Sequence, residues 1–231
     1  MSIRLIAFAS AWLLAVPAKA LTFGEVDVVC PLDGEKFRTV EAMSGTQFGM
    51  YLDLKPLGPI AAPWPIAKCP SSGFVVYKRN FTPEEISQLR PYVASPEYQA
   101  LQRSETNYYL AAKLQSVVKA PAGAVAFTLL RATWEAKPGN QYAAYAAEAL
   151  DAYKLALQQP YENPRQEITD RLVAGELERR LEKFEEAKSR FSTLADGQLA
   201  GNASLRPIVD LQLKLIAERN SRPAMVPQAS K

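Results

Sequence analysis

Histidine is absent from all 231 residues. That excludes Ser-His-Asp and Cys-His catalysis, imidazole metal sites and a histidine general base. Cysteine is scarce, with two residues, Cys30 and Cys69. Net charge is nearly absent too: 27 basic residues less Arg4 and Lys19 of the first segment leave 25, against 24 acidic ones. Such a balance gives no electrostatic footprint for nucleic acid or an anionic membrane. After residue 20 no apolar run approaches the roughly 20 residues that span a bilayer. No carboxylate or lysine constellation stands out either, so the residues point away from an enzyme and call for no cofactor.

What is present begins with an export signal. Met1–Arg4 is short and positively charged, Leu5–Val16 is an apolar run of twelve residues, and Pro17 breaks it. Ala18-Lys19-Ala20 then supplies the small-x-small pattern of a signal-peptidase site. The run is too short for a permanent anchor, and no cysteine follows it to carry a lipid. The pattern predicts a signal peptide over residues 1–20, a working chain that begins at Leu21, and a periplasmic or secreted location without stable membrane insertion.

Composition shifts near Phe81. Residues 21–80 hold both cysteines and many of the glycines and prolines, which suits short strands and loops. Val26–Val29, Lys36–Val40 and Phe74–Tyr77 read as strands. Met43–Lys68, rich in glycine and proline, reads as an ordered loop with aromatic contacts at Phe48, Tyr51 and Trp64. Residues 81–220 carry a helical period. Thr82-Pro83-Glu84-Glu85 is a capped helix start, and Ser95-Pro96-Glu97 opens a second helix reaching about Val118. Further helices are expected over Pro121–Glu135, Gln141–Gln158, Pro164–Leu181, Phe184–Leu194 and Leu205–Arg219, and residues 221–231 as a flexible tail. Fold class is therefore α+β, mostly α, with a small β-rich N-terminal lobe followed by antiparallel helical pairs.

Gly175, Phe184, Ala187 and Phe191 have the spacing of the small and aromatic positions in a tetratricopeptide unit, and Ala149, Tyr153 and Ala156 repeat its second helix. This half therefore resembles a degenerate tetratricopeptide array, in which a glycine permits close helix approach and an aromatic fills the gap to the next pair. An unrelated bundle with small residues at its crossings would show the same spacing. Glu176, Glu178, Glu182, Glu185 and Glu186, set among Arg179, Arg180, Lys183 and Lys188, read as a solvated face with pairs such as Glu176–Arg180. Tyr142, Tyr145 and Tyr153 read as core packing. Asn202-Ala203-Ser204 matches a glycosylation acceptor, which the bacterial resemblance below discounts.

Cys30-Pro31-Leu32-Asp33-Gly34 and Cys69-Pro70-Ser71-Ser72-Gly73 are one frame, C-P-x-x-G, written twice. The pair resembles the two C-P-x-C-G knuckles of a zinc ribbon, with Asp33 and Ser72 where each knuckle would carry its second thiolate. Two thiolates and one carboxylate are a poor tetrahedral set for Zn²⁺. The ribbon resemblance would bring the two remaining sulfurs together, and an oxidising compartment would join them as a Cys30–Cys69 disulfide. The knuckles, the Tyr108-Tyr109-Leu110-Ala111-Ala112 helix and Gly175–Leu181 leading to Glu186-Ala187 together resemble the bacterial family catalogued as domain of unknown function 2225. That family joins a zinc-ribbon-like segment to tetratricopeptide-like helices, and the resemblance implies architecture rather than an activity. The leading expectation is a non-enzymatic periplasmic interaction module whose partner is a protein or peptide. The alternative is a redox or metal-binding protein that uses Cys30 and Cys69.

Overall fold

A computed structural model of the chain describes residues 21–197 and 204–228. The proposed signal peptide and the Asn202-Ala203 part of the glycosylation acceptor lie outside the described residues. The fold is α+β and mostly α. Strands β1 (Thr22–Val29) and β2 (Lys36–Ser44) form an antiparallel hairpin in which Asp27 faces Arg38 and Val28 faces Phe37. Two short strands, β3 (Gly49–Met50) and β4 (Pro56–Leu57), pair inside the glycine- and proline-rich segment. The expected Phe74–Tyr77 strand is reduced to a single bridge between Lys68 and Val75. Of the aromatics expected to make contacts in the loop, Phe48 and Trp64 stay 65% and 43% exposed.

Eight helices follow among the described residues: α1 (Pro83–Val93), α2 (Pro96–Ser104), α3 (Asn107–Val117), α4 (Ala122–Glu135), α5 (Asn140–Ala156), α6 (Pro164–Arg180), α7 (Phe184–Asp196) and α8 (Arg206–Ala217). Thr82 begins α1 with a full capping box: its hydroxyl accepts from the Glu85 amide, and the Glu85 carboxylate accepts from the Thr82 amide. Reciprocal bonding of this kind satisfies two of the donors that a helix start leaves free. The single helix expected from Ser95 to Val118 is two helices. Glu105 is extended, Thr106 caps α3, and the buried Tyr145 hydroxyl accepts from the Thr106 amide at 3.1 Å and donates to the Glu105 carboxylate at 2.5 Å. A contact with a distant helix sets that break, and local periodicity does not carry it.

From α3 onward each helix packs chiefly on its neighbours in sequence. Tyr109 and Tyr145 stack at 4.3 Å within the core that α3 to α6 share. At the α6–α7 crossing a Cβ placed on Gly175 would lie 2.5 Å from the Phe191 ring. That ring is wholly buried, so the crossing is closed to any side chain at 175.

Two sequence expectations change here. The composition boundary near Phe81 is not a core boundary, because Cys30, Leu32, Cys69, Phe74 and Val75 are packed with Leu89, Val93, Tyr98, Leu110 and Leu114. Tyr98 reaches across with its hydroxyl to donate to the Gly73 carbonyl at 3.0 Å. The expected flexible tail is instead a strap through residue 228. Leu52 donates its amide to the Ala224 carbonyl at 2.9 Å, and Val226 donates to Met50 at 2.8 Å. Backbone pairing holds this segment, which its low apolar content could not reveal. No helix among the described residues is long and apolar enough to cross a membrane.

Candidate functional site

The two C-P-x-x-G frames adopt the same turn. In the first, the Cys30 amide donates to the Glu35 carbonyl at 2.8 Å and the Gly34 amide to Cys30 at 2.9 Å; in the second, Cys69 donates to Phe74 and Gly73 to Cys69 at the same distances. Gly34 and Gly73 close the turns at φ of +79° and +72°, a region that other residues enter at a steric cost. The turns face each other and are joined by the Cys30–Cys69 disulfide, with Cα atoms 5.7 Å apart. Ser71 adds polar links, donating its hydroxyl to Asp33 at 2.9 Å and to Glu35 at 2.7 Å.

Asp33 and Ser72, which hold the second ligand positions of the resemblance, are otherwise engaged. Asp33 accepts from the Glu35 amide and the Ser71 hydroxyl, and those bonds hold its carboxyl below the usual range. Ser72 lies 3.9 Å from the Cys30 sulfur. Two sulfurs bonded to each other and a carboxylate bonded to the Glu35 amide and the Ser71 hydroxyl do not fit a tetrahedral zinc site. Among the described residues no group of three or more carboxylates and thiols is placed to hold a metal ion.

The helical stack holds a further feature. A cleft of about 560 Å³ opens between the start of α4, the end of α5 and the start of α6. Its walls are mostly apolar, from Leu54, Ala122, Phe127, Tyr153, Ala156 and Pro160. Phe127 remains 37% exposed at the cleft, with the Arg131 guanidinium 4.2 Å from its ring centre. One end is polar. Asp170 is buried there and accepts from the Tyr161 hydroxyl and from Gln166 Nε2, each at 2.7 Å. Burial pushes the Asp170 carboxyl up, and the two donors pull it part of the way back.

The charged run on α6 and α7 divides. Glu182, Lys183, Glu185, Glu186 and Lys188 are exposed, as a solvated face requires, whereas Glu176, Glu178 and Arg179 on α6 are at most 1% exposed and depart from that reading. Arg179 donates through Nη2 to both Glu176 oxygens at 2.8 and 2.7 Å and through Nε to Gln212 at 2.9 Å. Its Nη1 reaches the strap, donating to the carbonyls of Asn220 and Arg222. Arg190 forms a second fork, donating to the two Glu178 oxygens at 2.8 and 2.7 Å. Burial raises the Glu176 carboxyl, and Arg179 is the chief opposing influence. The expected Glu176–Arg180 pair is the looser contact, at 3.9 Å.

The tyrosines divide. Tyr145 is core, as the spacing implied, whereas Tyr153 also forms a wall of the cleft. Tyr142 lines a smaller cavity at the opposite end of the same helices. The cleft residues carry no local motif; only the proline-interrupted α5–α6 connection, Pro160 to Pro164, marked the region in the sequence.

No curated protein and no solved structure matches the chain. A family model does, over residues 65–212, from the second knuckle into α8. It is described as an uncharacterised protein conserved in bacteria, and on that match the chain belongs to the family DUF2225.

Proposed function

We propose that this chain is a non-enzymatic interaction module of the periplasm, in which a tetratricopeptide-like helical stack binds an apolar peptide segment of a partner protein. The cleft between α4, α5 and α6 carries this reading. Its volume of about 560 Å³ falls in the range of ligand-binding pockets, roughly 300–1,000 Å³, and a mostly apolar wall with few polar groups is the usual composition. The Asp170–Tyr161–Gln166 end offers a hydrogen-bonding anchor for a backbone amide or an amine. The close α6–α7 crossing at Gly175 and Phe191 supports the tetratricopeptide-like reading, since such arrays need a small residue where paired helices meet. The repeated knuckle turns support a zinc-ribbon-like ancestry for the N-terminal part. A disulfide suits an oxidising compartment, and the Met1–Ala20 pattern supports export. Cys30 and Cys69 are each 1% exposed, which favours a structural staple over a redox or metal site open to reductant.

Selection from a displayed peptide library on the purified chain tests the binding reading. Enriched peptides should share an apolar anchor residue, and their binding should fall at least about tenfold, near 1.4 kcal/mol, in a folded Phe127→Glu variant. Failure to enrich any peptide, or enrichment indifferent to Phe127→Glu, would contradict it.

A further inference from the structure

At the polar end of the α4–α5–α6 cleft, Asp170 is a carboxylate with no cation of the chain beside it. Only 4% of it is exposed, and its two bonds come from neutral donors, Tyr161 Oη to Oδ2 and Gln166 Nε2 to Oδ1. Among the described residues it forms no ion pair. Arg171, next in the chain, donates instead to Glu167 at 2.8 Å, and Arg131 lies over the Phe127 ring. Each carboxylate oxygen can accept two hydrogen bonds, so Oδ1 and Oδ2 both keep acceptor capacity. Oδ2 lies across from α4, where a Cβ placed on Gly123 would be 4.0 Å from it. The glycine leaves that approach open.

A second group in the same wall is unsatisfied. Tyr153 is 1% exposed, and its hydroxyl has no hydrogen-bond partner among the described residues, while it retains accessible surface at the cleft. Burial pushes this hydroxyl up, and the Asp170 charge near it pushes it further. A buried charge is stable when paired, and a buried hydroxyl when bonded. A neutral amide would bond Tyr153 and leave Asp170 uncompensated, and an anion would be repelled. A cation with several N–H donors satisfies both.

We propose that the cleft receives a lysine side chain of the bound peptide, whose ammonium donates to Asp170 and to the Tyr153 hydroxyl. The surrounding wall is apolar, from Ala122, Phe127, Ala156 and Pro160. Such a wall matches the methylene stem of lysine, which buries readily and carries its charge at the tip. A peptide amino terminus would instead bring its flanking N–H and C=O groups against the same apolar wall, where they would go unbonded. The assignment rests on the peptide-binding reading and adds the residue that the peptide must carry.

The probe is n-butylammonium, the lysine side chain without its backbone, followed by two-dimensional NMR of the purified chain. It should bind saturably with Kd at or below about 10 mM and shift the amide signals of Gly123, Ala156 and Asp170. 1-Butanol carries the stem without the charge, and L-alaninamide carries an amino terminus without the stem. Each should bind at least about tenfold more weakly. Asp170→Asn, which keeps the side-chain shape, should remove the preference for n-butylammonium over 1-butanol. Tyr153→Phe, which keeps the ring, should weaken n-butylammonium while leaving 1-butanol unchanged. No response up to about 50 mM n-butylammonium, equal binding of 1-butanol or L-alaninamide, or an unchanged preference in a folded Asp170→Asn variant would each overturn the lysine assignment. None of these outcomes bears on whether displayed peptides enrich through Phe127. Failure of that selection beside a normal n-butylammonium titration would place the error in the peptide-binding reading instead.

Discussion

Arg179 has no exposed surface and five planar donors to satisfy, and it satisfies them through Glu176, Gln212 and two strap carbonyls. Removing one member of such a buried pair leaves the other charge without compensation, which costs about 3–5 kcal/mol. An Arg179→Met variant should lose stability of that order in urea unfolding. A Glu176→Leu, Arg179→Met double variant should recover a large part of it, because apolar replacement of both partners removes the stranded charge. A single variant as stable as the parent would show that the pair contributes nothing. The sequence displayed these residues fully and still misled. Alternating charges at i,i+3 and i,i+4 have the same pattern on an open face as under a cover. What buries Glu176 and Arg179 is Gln212 on α8 and the strap beyond it, 33 and more residues away in sequence.

Helix starts were legible for a physical reason: their signals are local. Thr82, Ser95 and Asn163 each cap the helix their sequence announced, and a proline opens each of those helices. The α2–α3 break was illegible because the groups that fix it, Tyr145 and the amide of Thr106, are 39 residues apart. The cap of α1 also makes a prediction in pH. Bonding to Lys78 and to the Thr82 amide lowers the Glu85 carboxyl. A carboxyl that is more acidic when folded contributes stability above its unfolded value, near 4.3, and loses it as pH falls through the folded value. Glu85→Gln should therefore melt below the parent at pH 7, and the gap should close between about pH 5 and pH 3. A gap that is constant across that range would remove the charged form of Glu85 from the account.

At the scale of the molecule, the N-terminal turns and the first three helices share one core, and the disulfide lies inside it. In the chain-entropy view, a bridge closing about 40 residues adds up to roughly 4 kcal/mol, through a restricted unfolded state. A Cys30→Ser, Cys69→Ser variant should lose stability up to that size. Because the core is shared, hydrogen exchange should show α1 to α3 loosening together with the knuckles, while α6 to α8 keep their protection. Uniform loosening of the whole stack would argue against that division. Composition alone located the change from loop to helix near Phe81, yet it could not show that the two parts are packed as one. Nor could it show the cleft, whose walls come from α4, α5, α6 and Leu54 of the N-terminal segment.

The claim that organises these scales is that the cleft is where the chain meets a partner. Replacing Phe127 with a photo-crosslinking phenylalanine analogue, and irradiating living bacteria that produce the chain, asks this at the residue concerned. Arg38, exposed on the β1–β2 hairpin, serves as the control position. The account predicts a discrete protein adduct from position 127 in the periplasmic fraction, absent from position 38, with the crosslink mapped to an apolar stretch of the partner. The same adducts from both positions, or none from 127, would contradict it.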